Sequence, residues 1–206
     1  MLTSDPFVRV ARTVSATEAE GPGRRFAVWV QGCTVRCSGC FNPHMWSQLG
    51  GQLTPASILA AEAKASGVEG VTLLGGEPFD QAAELSVFAR MVQEAGLSVM
   101  TFSGNTLQQI RTMAGSGPKE LLNHTDLLVD GQYDSSLLDA NRPWVGSTNQ
   151  KFHFLTPRYR HLEASLSDQP DRVEIRVGVN GRVSVNGWAS NESLDRLLHG
   201  LGRRER

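Results

Sequence analysis

Residues 68–104, "VEGVTLLGGEPFDQAAELSVFARMVQEAGLSVMTFSG", change periodicity twice. The apolar run Val71 to Leu74 ends on Gly75-Gly76, and predicts a buried strand over 69–74 followed by a glycine-rich turn. Leu85, Phe88, Ala89 and Val92 then recur at helical spacing until Gly96 stops the pattern. "LSVMTF" over 97–102 gives a second strand. Strand, helix, strand over so short a stretch implies parallel strands joined by a crossover helix.

The same alternation extends both ways. Upstream, "RRFAVWVQG" (24–32) is a β-branched and aromatic run ending at Gly32. "LTPASILAAEAKASG" predicts a helix over about 55–66, with Thr54 as N-cap, Pro55 in its first turn and Gly67 as its stop. Downstream come a helix near 105–114, a short helix around 118–123, and a strand at 126–130, "DLLVD". Functional residues on a parallel sheet gather at the C-terminal ends of its strands, and "GGEP" occupies one such end.

Another end carries every cysteine in the chain. In "QGCTVRCSGCFNPHMW" (31–46) stand Cys33, Cys37 and Cys40. An odd number of cysteines crowded together is not a disulfide framework, and Arg36, Ser38 and glycines between them would make a poor core segment. Thiolates are soft ligands for zinc or iron–sulfur clusters. With His44 as a fourth ligand the loop could form a Cys3His zinc knot; the CxxxCxxC spacing instead suits three corners of a cubane whose fourth iron has no protein ligand.

After residue 150 the pattern changes. "RVEIRVGVNGRVSVNGW" (172–188) alternates on both sides of Asn180-Gly181 and predicts a hairpin with a two-residue turn. "SNESLDRLLHG" predicts a terminal helix capped by Ser190 and ended by Gly200, and "GRRER" a frayed tail. The expected architecture is α/β, a partial (open) βα barrel of parallel strands over 1–156. A small hairpin-plus-helix appendage at 157–206 follows it.

Composition sets limits on partners. With 206 residues, 40% hydrophobic, 20% charged and a formal net charge of -1, the chain offers no general nucleic-acid or membrane surface. No run approaches the roughly 18 apolar residues of a membrane span, and the N-terminus lacks the order of a secretory signal, so a cytoplasmic location is expected.

The cysteine loop resembles that of the radical S-adenosylmethionine enzymes, whose open iron is chelated by the cosubstrate. Within that superfamily the chain is most similar to the activating proteins of anaerobic ribonucleotide reductase and other glycyl-radical activases. Five stretches carry the resemblance in order: "EGPGRRFAVWVQGC", "CSGCFNPHMW", "LLGGEPF", "TDLLVDGQY" and "WVGSTNQ", spanning about residues 8–155. The Gly-Pro-Gly turn is expected to precede the first strand.

The resemblance implies a [4Fe–4S] cluster on Cys33, Cys37 and Cys40, and S-adenosylmethionine beside it. Gly75 and Gly76 would let the backbone approach the methionine amino group, in a turn shaped by Glu77 and Pro78. Asp130 would face the methionine carboxylate through a monovalent cation. Asn42, Thr101 and Ser103 are further cosubstrate candidates, each with a plainer role as a turn former, strand end or helix cap. Trp144, Gly146, Ser147, Asn149 and Gln150 belong to a loop that either shapes the substrate cleft or locks the last strand. Two departures from the family pattern stand out: Gly39, not an aromatic or apolar residue, precedes the third cysteine and Phe41 follows it, and the 157–206 extension runs past the shortest activators.

The implied activity is reductive cleavage of S-adenosylmethionine to a 5′-deoxyadenosyl radical, with no general acid or base. The radical would take a hydrogen atom from a glycine of a partner such as anaerobic ribonucleotide reductase, the electron coming from flavodoxin or ferredoxin. The alternatives are a stand-alone radical enzyme modifying a peptide or small metabolite, and a zinc-stabilised binding module.

Overall fold

The computed structural model describes residues 5–170, 172–181, 183–187, 189 and 191–199. A seven-stranded sheet of order β3-β1-β2-β4-β5-β6-β7 organises it. The parallel centre is β2 (Arg25–Val30), β4 (Gly70–Gly75), β5 (Ser98–Ser103) and β6 (Leu127–Asp130). Antiparallel strands flank it: β1 (Phe7–Thr17) and β3 (Gln52–Pro55) on one side, β7 (Lys151–Phe154) on the other. The Gly-Pro-Gly turn therefore lies between the first and second strands and does not precede the first.

Both faces of the sheet are buried, and alternate residues separate them. Phe26, Val28 and Val30 of β2, with Leu73 of β4 and Leu128 of β6, face a core that includes Leu59, Leu85, Phe88 and Val92. Those partners come from α1 (Ala56–Ala65) and α2 (Ala82–Glu94), the crossover helices, with Leu121 of α4 (Gly117–Asn123). On the opposite face Met100, Leu127 and Val129 pack with Trp144, Val145, Tyr159 and Leu162. Ala27 and Trp29 pack there with Val14 and Met45.

Helix starts differ from expectation. Thr54 is drawn into β3, where it pairs with Val8, so Pro55 becomes the N-cap of α1. The helix's free N–H groups are met from the N-terminal segment instead: Ala56 N donates to Pro6 O at 2.8 Å, and Ser57 N to Asp5 Oδ1 at 3.1 Å. Helix α3 (Leu107–Thr112) is capped by Thr106 in a capping box with Gln109, not by Ser103.

Two segments continue past the sheet. Residues Pro157–Asp168 form 3-10 turns kinked at Ser165, and their Tyr159 and Leu162 are buried in the second face of the core. A separate two-stranded sheet then pairs β8 (Val173–Val177) with β9 (Val183–Gly187). The hairpin is present but its connection spans 178–182, because pairing closes at Val177 and Val183 while Gly181 N turns back to Gly178 O at 2.8 Å. Helix α5 (Asn191–Leu198) follows; Ser190, Gly200 and the "GRRER" tail lie outside the described residues.

Beneath the C-terminal segment lies a buried cation absent from the sequence expectations. Arg25, fully buried, donates to Ser98 Oγ at 2.6 Å, Tyr159 Oη at 2.7 Å and Thr72 Oγ1 at 3.1 Å, and also to Val71 O. Tyr159 donates onward to Glu69 Oε1 at 2.8 Å. Burial pulls the guanidinium below its ordinary value, and Tyr159, Glu69 and Asp126 pull it back. The cluster ties residues 157–168 to the N-terminal ends of three parallel strands.

Candidate iron–sulfur and cosubstrate site

The cysteine loop leaves the C-terminal end of β2 and returns to it. Gly32 N donates to Met45 O at 2.8 Å and Cys33 N to Trp46 O at 3.1 Å, closing the neck. Gln31 Nε2 donates to Ser47 O at 2.7 Å just outside it. Thr34 is fixed from the next crossover, its N–H and hydroxyl each donating at 2.8 Å to the carboxylate of Asp80. Gln81 bridges strands behind the loop, donating to Arg9 O and Gln31 O while accepting from Arg9 N. Sequence inspection missed Asp80 and Gln81; their only signal was their place directly after "GGEPF".

Within the loop, N–H groups converge on sulfur. Arg36 holds a left-handed backbone, φ +52°, and the N–H groups of Arg36 and Val35 bond to Cys33. The Tyr133 N–H bonds to Cys37, and Asn42 N lies 3.4 Å from Cys40 Sγ. Burial pushes the Cys33 and Cys37 thiols up, while these N–H groups pull toward the thiolate. None of the three cysteines is in a disulfide.

Three soft ligands with N–H donors at their sulfurs fit the coordination of an iron–sulfur cluster. Among the described residues no three His, Cys, Asp or Glu side chains form a group that could hold one metal ion.

The glycine turn packs onto the same neck. Gly76 N donates to Val30 O and Glu77 N to Gly32 O, both at 2.8 Å. A Cβ on Gly76 would lie 2.0 Å from Gly32 O, and one on Gly75, φ +107°, 2.7 Å from Trp29 Cα. The glycines are thus required by backbone packing, apart from any ligand. Glu77 is buried and accepts from Phe79 N, Ser103 Oγ and Gly104 N, each at 2.9 Å. Burial pushes its carboxyl up to about 7 against the pull of those three donors.

One cavity of about 1090 Å³ is lined by Cys33, Cys37, Cys40, Asn42, Gly75, Gly76, Glu77 and Ser103 together. Three other candidates are not among its lining residues. Pro78 is buried at the start of the 3-10 turn Pro78–Gln81. The Thr101 hydroxyl is 3.0 Å from that of Thr125, behind the wall. Asp130 is buried at the end of β6, where Oδ2 accepts from Leu107 N at 2.5 Å and stands 2.9 Å from His153 Nε2.

The "WVGSTNQ" loop has a legible task. Gln150 Oε1 accepts from Gly146 N and Ser147 N, and Asn149 Nδ2 donates to Gln132 O at 2.7 Å. Ser147 Oγ accepts from Asp134 N, and Arg142 donates to the carbonyls of Ser147, Thr148 and Gln150. These bonds brace the 131–134 turn, whose Tyr133 ring sits 5.6 Å from Phe41 and whose N–H meets Cys37. The loop therefore supports the cysteine loop from behind. Trp144, φ +66°, lines the cavity within it.

A loop of three thiols at a parallel-strand edge, facing a glycine turn across one cavity, defines an α/β iron–sulfur protein. The family model described as "4Fe-4S single cluster domain" matches residues 19–153. An anaerobic ribonucleoside-triphosphate reductase-activating protein of Enterobacteria phage T4 is 30% identical over 141 residues, 64% of this chain and 84% of that one. Its counterpart from Vibrio cholerae is 30% identical over 146 residues, 66% of this chain and 91% of that one. QueE from Escherichia coli superposes with a TM-score of 0.42 at 20% identity, over 48% of this chain and 53% of that chain. The chain belongs to the family of anaerobic ribonucleoside-triphosphate reductase-activating proteins. It is accordingly a radical S-adenosylmethionine enzyme whose cofactors are a 4Fe–4S cluster and S-adenosylmethionine. Among the described residues no helix is long and apolar enough to cross a membrane.

Proposed function

We propose that this chain installs a glycyl radical on an anaerobic ribonucleotide reductase, with Cys33, Cys37 and Cys40 as cluster ligands. The observation that carries this is the shared neck: Glu77 N donates to Gly32 O, so the glycine turn and the first cysteine are fixed to one another before any ligand arrives. When bound, the cluster and S-adenosylmethionine supply a 5′-deoxyadenosyl radical by one-electron cleavage of the C5′–S bond.

The chain's own residues orient and enclose. Asn42, Gly75, Gly76, Glu77 and Ser103 form the cosubstrate wall, while Pro78 and Thr101 shape it from behind. Asp130 acts through α3, its Oδ2 accepting from Leu107 N and lying 2.9 Å from His153 Nε2. Phe41 and Trp46 give apolar cover to the cysteines. The sheet, open at β3 and β7, is in this proposal a partial barrel whose gap admits the partner's glycine-bearing loop. The electron comes from a flavodoxin or ferredoxin.

The test is anaerobic. Reconstituted with iron and sulfide, reduced and given S-adenosylmethionine, the protein forms 5′-deoxyadenosine, and the full-length reductase from the same organism gains a glycyl-radical EPR doublet. Cys37→Ala abolishes both. Tight zinc binding without cluster uptake, or turnover retained in Cys37→Ala, overturns the assignment.

A further inference from the structure

The cavity beside the cysteine loop has polar atoms that the chain itself does not satisfy. Among the described residues four buried side-chain nitrogens or oxygens have no hydrogen-bond partner, and three of them belong to residues lining this one space: Trp46 Nε1, Trp144 Nε1 and Asn186 Oδ1. Folded chains rarely leave such groups unpaired, so their collection in one wall points to a ligand.

Trp144 is the one of the three that is both deeply buried and wholly unmet. Asn186 still donates through Nδ2 to Thr17 Oγ1 at 2.9 Å, and Trp46 is only half-buried. Trp144 is 9% exposed. An indole has one donor and no acceptor, so this unpaired N–H is its entire polar capacity. For packing alone a phenyl ring would serve without trapping a donor.

The backbone at the same residue is strained. Trp144 has φ +66°, the left-handed region that bulky side chains rarely adopt. The residues after it hold it there: Gly146 N and Ser147 N donate to Gln150 Oε1 at 2.9 and 3.2 Å, and Asp139 N donates to Gly146 O at 3.2 Å. Strain that is braced in this way, on a cavity wall, marks a position kept for what it presents to a ligand.

The surroundings define the chemistry of that ligand. Strand register sets Phe102 beside Val129 and Val129 beside Phe152, and the Trp144 ring stands 6.4 Å from that of Phe152. All four pack on the second face of the core, and Phe102 and Trp144 both line the cavity. Phe102 directly precedes Ser103, so the aromatic stretch continues the cosubstrate wall. Aromatic side chains that offer a single N–H suit a flat base with apolar faces and acceptor nitrogens on its rim. In S-adenosylmethionine that part is the adenine; the charged methionine end asks for polar partners instead.

We propose that Trp144 positions the adenine of S-adenosylmethionine, its indole N–H donating to a ring nitrogen of the base while Phe102 adds apolar surface. This rests on the cosubstrate wall of the function proposed above, and is independent of which protein receives the radical.

The test measures binding, not turnover. The reconstituted, oxidised full chain is dialysed to equilibrium against S-adenosylmethionine and against its 1-, 3- and 7-deazaadenine analogues, each lacking one ring nitrogen. Two variants remove the donor: Trp144→Phe, and Trp144→3-benzothienylalanine, which keeps the bicyclic shape and replaces only the N–H by sulfur. The parent should bind one of the analogues about fivefold more weakly than S-adenosylmethionine. Both variants should bind S-adenosylmethionine about fivefold more weakly than the parent does, and lose nothing further with that analogue. Should Trp144→Phe fail to fold or to take up iron, the isosteric variant decides. Unchanged affinity for S-adenosylmethionine in that variant, or the same discrimination among the analogues in parent and variant, overturns the assignment. A parent that binds no S-adenosylmethionine overturns the subsite and the cosubstrate wall together. The nitrogen-specific loss, found in a parent that activates no reductase, upholds the subsite and overturns only the partner.

Discussion

The Ser103 hydroxyl donates to Glu77 Oε1 at 2.9 Å, joining the ends of β5 and β4 in the cavity wall. Glu77 has two further donors and no neighbouring cation at that carboxylate among its hydrogen-bond partners. Three neutral donors hold a buried anion in place without repaying its full desolvation, which is why its carboxyl rises to about 7.

That imbalance sets a pH dependence. Between the ordinary 4.5 and about 7, the folded apoprotein keeps a proton on Glu77 that the unfolded chain has released. The group's contribution to stability is therefore fully present below 4.5 and is lost as pH rises through 7, by at most about 3 kcal/mol. Urea unfolding of the apoprotein at pH 5, 6 and 7 should show this decline, and Glu77→Gln should flatten it. Parallel slopes in the two proteins would mean that Glu77 ionises normally.

The Arg25 cluster separates two kinds of loss. Arg25→Ala leaves a cavity and strips Ser98, Tyr159, Thr72 and Val71 O of a shared donor, and should cost about 3–5 kcal/mol. Arg25→Met fills the space and removes the buried charge, so it should cost less than the alanine. Tyr159→Phe keeps the ring packing but leaves a guanidinium N–H unmet, at about 1–3 kcal/mol. Equilibrium unfolding ranks the three, and an alanine no worse than the methionine would show that the arginine's lost bonds, not the space it fills, set the cost.

Much of this was legible beforehand, for local reasons. Strands β2, β4, β5 and β6 are apolar runs cut by glycines or turn residues, and α1 and α2 repeat at helical spacing between them. The antiparallel flanks were not. In β1 the alternation Val8, Val10, Arg12, Val14 is broken by register shifts after Val10 and after Val14, and β3 has four residues ending in proline. Arg25 stands in "GPGRRF", where charge reads as surface; only the fold brings Ser98 and Tyr159 to it. At the site, cysteine spacing and "GGEP" could be read from sequence because both are local. Thr101 and Asp130 carry the same residue types but turn toward Thr125, Leu107 and His153, partners set by neighbouring elements.

Gly76 gives a prediction that distinguishes packing from flexibility. A Cβ there would lie 2.0 Å from Gly32 O, on backbone that leads directly into Cys33. Neither strand can move aside, because Gly76 N is bonded to Val30 O and Glu77 N to Gly32 O. Gly76→Ala should therefore destabilise the apoprotein by about 2 kcal/mol or more and reduce the iron retained after reconstitution. Gly96→Ala is the comparison: φ is +84° and nothing lies within 4 Å of the added methyl, so the cost is backbone strain alone, about 1 kcal/mol, with iron uptake unchanged. Urea unfolding and iron content, measured on both variants, check this directly. Equal losses in both properties would mean that the glycine turn needs only conformational freedom, and that its contact with the cysteine neck does not control cluster assembly.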